Sequence, residues 1–81
     1  MIKGGTNRRN DVAIQTVARN MRKYRLQKNL TMTALANIIG VDYSQISRME
    51  RGKVNANISI IFDIAAVLEI SPMLLVEQEH P

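Results

Sequence analysis

Four side chains that can form hydrogen bonds are spaced along residues 43–48 as one exposed helix face would space them. They are Tyr43, Ser44, Ser47 and Arg48. Because residues three and four apart share a helix face, these groups stand together and opposite the apolar Ile46 and Met49. Hydroxyl groups around one guanidinium suit hydrogen bonding to the edges of DNA bases. The segment therefore predicts a surface that reads double-stranded DNA.

Each of these four residues also has an alternative role. Arg48 can pair with both acceptors of a guanine, or it can contact a phosphate or remain a solvated charge. Tyr43 can stack on a thymine methyl group, bond a phosphate or lie on the surface as an ordinary ring. Ser44 and Ser47 can be ordinary surface residues, and Ser47 can serve packing. Base reading is the role that we expect for all four.

The residues that most enzymes and metal sites need are scarce in this chain. It has no cysteine and a single histidine, His80, one residue before the end. Without cysteine there is no disulfide, thiolate zinc site or cysteine nucleophile. A histidine so close to a terminus is a poor general base. We therefore expect no enzymatic activity and no cofactor, metal or small-molecule ligand.

Length and hydropathy predict one small cytoplasmic domain. The 81 residues, 46% of them hydrophobic, allow a single modest core. No apolar run approaches the roughly 20 residues of a membrane-spanning helix, and residues 1–10 lack the apolar region of a secretion signal. Those first ten residues contain glycines, asparagines and basic residues without periodicity. They predict a flexible basic arm before a domain at residues 11–81.

The charge of the chain is divided along the sequence. All 11 lysines and arginines lie within residues 3–53, where only Asp11, Asp42 and Glu50 oppose them and leave a charge of +8. Residues 54–81 contain four acids and no lysine or arginine, so the whole chain carries +4. Such segregation favours one face meeting a polyanion, with nucleic acid first and an anionic membrane surface second. A merely soluble basic protein is the remaining interpretation.

Capping residues, helix stops and apolar spacing predict five α-helices. The expected elements are Asp11 to near Asn29 behind the cap Asn10, a short helix capped by Thr31 or Thr33 and ended by Gly40, Tyr43 to Arg51 ended by Gly52, a helix capped by Asn57, and Pro72 to about Gln78 behind the cap Ser71. Asp42 and Gln45 have the spacing of a capping box at the third helix. The expected inward residues of the fourth helix are Ile58, Ile61, Ile64, Ala65 and Leu68.

The second and third helices are separated by a very short link after Gly40. So short a link makes the helices cross steeply, which is the helix-turn-helix arrangement whose second helix enters the major groove. The segment that contains it, residues 30–53, reads LTMTALANIIGVDYSQISRMERGK. The residues expected to lock the two helices together are Leu35, Ala36, Val41, Ile46 and Met49.

This segment resembles the lambda-repressor/Cro-like, or Xre, family of helix-turn-helix domains. The similarity covers roughly residues 15–76 and extends to small stand-alone regulators such as restriction–modification controllers. The matching residues are Leu30-Thr31, Leu35-Ala36, Gly40-Val41, Ile46-Ser47-Arg48, Glu50-Arg51-Gly52-Lys53, Ile64-Ala65, Leu68, Ser71 and Leu74. The resemblance implies an all-α, five-helix fold with the helix-turn-helix at helices two and three.

The resemblance also implies roles for single positions. Tyr43, Ser44, Ser47 and Arg48 match positions that contact bases or nearby phosphates, and Arg25 and Glu50 match an internal salt bridge between helices one and three. The expected phosphate-binding set is Thr31, Met32, Asp42, Arg51, Lys53, Asn55 and Asn57. Met32 stands where the family usually has a glutamine, and methionine cannot donate a hydrogen bond. The backbone N–H groups at that helix start can still bind a phosphate.

The end of the chain predicts a second surface. Met73, Leu74, Leu75 and Val76 form an apolar run on a very short helix, whose domain cannot cover all four sides. A two-fold dimer is the commonest way to bury the remainder. Two recognition helices about 34 Å apart can then read a palindrome. The alternative is that the run only closes the core.

These observations together predict a sequence-specific transcription regulator that binds a palindromic operator in double-stranded DNA as a homodimer. Bacterial or phage origin, association with the nucleoid and RNA polymerase as a further partner follow from the resemblance alone. The alternative is a protein-interaction module or antitoxin-like subunit with the same fold. RNA binding ranks third, because three aromatic residues offer little stacking surface for single-stranded bases.

Overall fold

Five α-helices make up most of the computed structural model, which describes residues 9–78. They are α1 (Asp11–Gln27), α2 (Met32–Ile39), α3 (Tyr43–Glu50), α4 (Ile58–Leu68) and α5 (Pro72–Val76). No β-strand occurs within this part of the chain. The all-α, five-helix fold expected from the sequence is therefore confirmed. Residues 1–8 of the predicted flexible arm, and His80, lie outside the described residues.

The helix starts are set by local capping, as the sequence predicts. A side-chain oxygen accepts a hydrogen bond from a backbone N–H of its own first turn at α1, α2, α4 and α5. The capping residues are Asn10, Thr31, Asn57 and Ser71. Two predicted stops adopt positive φ, +87° at Gly40 and +68° at Gly52, and Asn29 between α1 and α2 has a φ of +58°. These caps and helix stops depend on neighbouring residues alone, so the sequence predicts their positions well.

The predicted capping box at the start of α3 is wrong. Asp42 is the N-cap, but its side chain makes no capping hydrogen bond. Its carbonyl oxygen instead accepts from the N–H groups of Gln45 at 3.0 Å and Ile46 at 3.4 Å. Backbone hydrogen bonds alone therefore start this helix, and Asp42 is an exposed residue whose carboxylate does not cap it.

Each helix contributes one side chain to the centre of the domain. Met21, Leu35, Ile46, Ile64 and Leu75, one from each of α1 to α5, are completely buried. Full burial of such a side chain is worth about 1.5–3 kcal/mol. All five helices therefore share one core, in which α3 packs mainly against α1 and α2.

One expected core residue faces outward. Ile58 at the start of α4 is 65% exposed, whereas Ile60, which spacing does not single out, is buried. The sequence of α4 places apolar residues on almost every face of the helix, so periodicity alone does not choose the inward side. Ile58 and Phe62, one turn apart, share the exposed side.

Candidate nucleic-acid interface

The recognition surface begins with the junction between α2 and α3. Only residues 40–42 separate the helices, and the N–H groups of Gly40 and Val41 both bond the carbonyl of Ala36, at 2.8 and 3.0 Å. Leu35 and Ala36 on α2 are buried in the same cluster as Ile46 and Met49 on α3. The inner side of α3 is therefore fully anchored, and its outer side is left to solvent.

The outer side of α3 carries the four residues that the sequence selects for base reading. Tyr43 is 50% exposed, Ser44 and Arg48 are exposed, and Ser47 is half-buried. The Ser47 carbonyl also accepts from the backbone N–H of Arg51 at 3.1 Å and from its Nε at 3.4 Å. Tyr43, Ser44 and Arg48 are thus open to a ligand, and Ser47 lies at the edge of the surface.

The phosphate candidates that follow α3 lie on a turn of defined geometry. Gly52 N–H bonds the carbonyl of Met49 at 3.1 Å and Lys53 N–H bonds that of Arg48 at 2.9 Å, which is the Schellman pattern. Arg51 and Lys53 are exposed on this turn, as is Asn55 in the loop after it. The loop therefore leaves the end of α3 in a fixed direction with its cations facing solvent.

A cleft joins this loop to α3. It has a volume of about 230 Å³ and is bordered by Arg48 on the helix and by Asn55 and Asn57 on the loop. The side chain of Asn57 also caps α4, where its Oδ1 accepts from the N–H of Ile60 at 2.9 Å. The cleft thus brings one base-reading candidate, Arg48, next to the phosphate candidates Asn55 and Asn57.

Three further phosphate candidates lie at the starts of α2 and α3. Thr31 is exposed, and its hydroxyl accepts from the N–H of Ala34 at 3.0 Å. Met32 is half-buried and packs against the core, so its side chain anchors α2 and leaves the backbone of that helix start to meet a phosphate. Asp42 is exposed with a carboxylate that a phosphate would repel.

Arg25 on α1 and Glu50 on α3 form a buried ion pair. Arg25 Nε donates to Glu50 Oε2 at 2.6 Å, and Nη2 donates to Oε1 at 2.9 Å. Arg25 Nη1 donates to the carbonyl of Leu30 at 2.8 Å. The two side chains are 7% and 4% exposed, and hydrogen bonding to Glu50 raises the pKa of Arg25 above its ordinary value. The pair joins α1 to α3 and to the loop before α2, so its role is to orient α3.

Three polar residues that sequence reasoning missed, Arg9 before α1 and Gln15 and Asn20 on α1, also make contacts across the fold. Asn20 is buried, and its Nδ2 donates to the carbonyls of Leu75 at 3.0 Å and Glu77 at 2.9 Å. Gln15 Nε2 donates to the carbonyl of Gly52 at 3.2 Å, and Arg9 reaches the carbonyl of Lys53. Asn20 carried a signal, since a polar residue three positions after Val17 interrupts the apolar side of the helix.

The short helix α5 divides its apolar residues between the core and solvent. Leu75 is completely buried, whereas Met73 is 73% and Val76 49% exposed. Leu74 is half-buried. Leu75 therefore closes the core of its own domain, and the exposed apolar area of the predicted dimer helix belongs to Met73 and Val76.

An exposed polar helix joined by a three-residue turn to a packed partner defines a helix-turn-helix domain. A family model described as Helix-turn-helix matches residues 21–75. The chain therefore belongs to the helix-turn-helix family, in its lambda-repressor-like form, and its class of function is DNA binding in transcription regulation. Within residues 9–78, no helix has the length and apolar character needed to cross a membrane.

Solved structures that share the fold include the following three. The hypothetical transcription factor NHTF from Neisseria has a TM-score of 0.78 and 26% identity over 95% of this chain and 90% of its own. The restriction-modification controller protein C.AhdI from Aeromonas hydrophila has a TM-score of 0.74 and 30% identity over 79% of this chain and 97% of its own. A helix-turn-helix family transcriptional regulator from Vibrio cholerae has a TM-score of 0.75 and 25% identity over 80% of this chain, which spans 36% of that protein.

A comparison with curated protein sequences gave no match. Two of the structural neighbours are named as a transcription factor or transcriptional regulator, and the third as a restriction-modification controller protein.

Proposed function

We propose that this chain is a transcription regulator that recognises a specific sequence in double-stranded DNA by placing α3 in the major groove. The observation that carries the proposal is the division of α3 into a buried side and an exposed polar side with Tyr43, Ser44 and Arg48. The names of the structural neighbours support regulation of transcription as the setting.

The proposed recognition separates base contacts from backbone contacts. Arg48 pairs with the two acceptors of a guanine, and Tyr43, Ser44 and Ser47 contact neighbouring bases. The backbone N–H groups at the start of α2 and the side chains of Arg51, Lys53 and Asn55 hold phosphates, which positions the domain without reading sequence. Asp42, which cannot bind a phosphate through its carboxylate, contributes to this set only through the backbone.

The proposed regulator acts as a homodimer on a palindromic operator. Met73 and Val76 present apolar area on α5, and Asn20 ties the end of that helix to α1 through two hydrogen bonds. A rigid apolar patch suits a two-fold interface in which α5 meets its copy. Such a dimer places two α3 helices on one face of the duplex, where at a promoter it would exclude or recruit RNA polymerase.

Dimerisation predicts a clear effect for Met73→Glu. The unmodified chain should sediment as a dimer at tens of micromolar and the variant as a monomer, because an apolar interface cannot accept an unpaired carboxylate. Ile38→Glu is the matched control, since Ile38 is 60% exposed on α2 and should leave the dimer intact. Sedimentation of the unmodified chain as a monomer at this concentration would contradict the proposed dimer.

DNA binding itself is tested by titrating a pool of random duplexes at several salt concentrations. The logarithm of the binding constant should fall with a slope of about −0.9 per phosphate neutralised. Lys53→Ala should reduce the magnitude of that slope by about 0.9 for each bound chain. Lys28→Ala is the matched control, because the Lys28 ammonium pairs with Glu69 on the far end of α4 and should leave the slope unchanged.

Absence of duplex binding in this titration would also be informative. If the chain binds no duplex at low salt, DNA recognition is contradicted. The result would favour a protein-interaction module or antitoxin-like subunit, with Met73 and Val76 as the exposed contact area.

A further inference from the structure

The first turns of α1 lie against the turn that follows α3. Gln15 Nε2 donates to the carbonyl of Gly52 at 3.2 Å, and Arg9 Nη1 donates to the carbonyl of Lys53 at 3.4 Å. Two consecutive carbonyl groups of the turn are therefore held by side chains from the beginning of the domain. We call this pair of contacts, made by Gln15 and Arg9, the α1 brace.

The brace fits the turn closely at Gly52. This residue is buried, and a Cβ added to it would lie 2.3 Å from Gln15 Nε2. Its φ of +68° already disfavours any side chain. The Gln15 amide thus occupies the space that only a glycine leaves free, and packing and hydrogen bonding act at the same point.

The backbone N–H groups of the same two residues bond to carbonyl groups of α3. The N–H groups of Gly52 and Lys53 bond the carbonyls of Met49 and Arg48. With their N–H groups bonded to carbonyls of α3 and their own carbonyls bonded by Gln15 and Arg9, these two residues cannot rotate without breaking hydrogen bonds on both sides. The direction in which Lys53 leaves the domain is set before any ligand arrives.

From this geometry we infer that Gln15 is a positioning residue for the phosphate contact of Lys53. The inference rests on the proposed DNA binding and adds a determinant of affinity to it. A loop that is ordered in advance does not lose conformational entropy on binding. Gln15 and Arg9 precede residues 21–75, the part that matches the family model, so the brace belongs to the N-terminal section of this chain.

The test is a double-variant comparison with a pool of random duplexes as the probe, because phosphate contacts do not depend on base sequence. Gln15→Met keeps the side-chain length and removes the amide donor. We expect it to weaken duplex binding by about 3- to 10-fold, the scale of one net hydrogen bond, and to have no effect on a chain that already carries Lys53→Ala. Gln27→Met, an exposed substitution at the other end of α1, is the control and should not change binding.

The outcomes separate the brace from the proposed function. No weakening by Gln15→Met, or equal weakening with and without Lys53→Ala, would overturn the positioning role while leaving DNA binding in place. Failure of the unmodified chain to bind duplex would contradict DNA binding. In that case amide hydrogen exchange of the free protein decides on the brace, which requires faster exchange at Gly52 and Lys53 in Gln15→Met and is overturned by unchanged rates.

Discussion

Replacing Glu50 by alanine is expected to lower the free energy of unfolding by about 3–5 kcal/mol, the usual cost of removing one member of a buried ion pair. The guanidinium of Arg25 would remain charged in a site where its side chain is only 7% exposed. It would keep the carbonyl of Leu30 as a partner and lose both carboxylate oxygens. The total free energy of unfolding of a native protein is about 5–15 kcal/mol. This variant should therefore be close to unfolding.

Urea unfolding followed by circular dichroism measures this effect. Glu69→Ala provides the matched control, because Glu69 also pairs with a basic residue, Lys28 at the C-cap of α1, but both side chains are exposed to solvent. Hydrogen bonding to Lys28 lowers the pKa of Glu69, yet loss of this exposed pair leaves the Lys28 ammonium hydrated by solvent and costs little stability. The control should therefore unfold close to the unmodified chain. A Glu50→Ala midpoint equal to that of the control would show that the buried pair does not hold α3.

The second large effect is expected on recognition. Ser44→Ala combined with Arg48→Ala should remove the preference for a selected duplex over a random one, since a bidentate arginine contact alone gives about 1–3 kcal/mol of discrimination. Both residues are exposed and lie opposite the buried Ile46 and Met49. The double variant should therefore unfold at the same temperature as the unmodified chain.

Competition between labelled selected duplex and unlabelled random duplex measures this preference. Arg22→Ala, which removes one exposed charge from α1, is the control for general loss of positive charge. Arg22→Ala should weaken binding of the chain to both duplexes by the same factor. A Ser44 and Arg48 double variant that keeps the full preference would remove the base-reading role from this face of α3.

The parts of the fold that could be predicted are those set by local rules. Asn10, Asn57 and Gly40 act on their own helix ends, so residue type and spacing are sufficient to place them. The side of α3 that faces solvent follows in the same way from the spacing of Ile46 and Met49. For this reason the sequence alone is sufficient to select the candidate base-reading residues.

The parts that could not be predicted depend on which elements meet in space. The contact of Gln15 with Gly52 joins residues 37 positions apart, and nothing in the local sequence of either residue indicates it. The sequence wrongly places Ile58 on the inward side, because α4 is apolar on almost every face and its spacing does not define which face is buried. The unused side chain of Asp42 shows that a capping sequence permits a hydrogen bond without requiring it.

Selection of bound duplexes from a large random pool tests most directly whether α3 reads DNA sequence. We expect recovery of one palindromic motif whose half-sites lie about 10 base pairs apart, centre to centre, the spacing of one helical turn. A recovered pool with the same base composition at every position as the starting pool would contradict sequence-specific recognition by this chain.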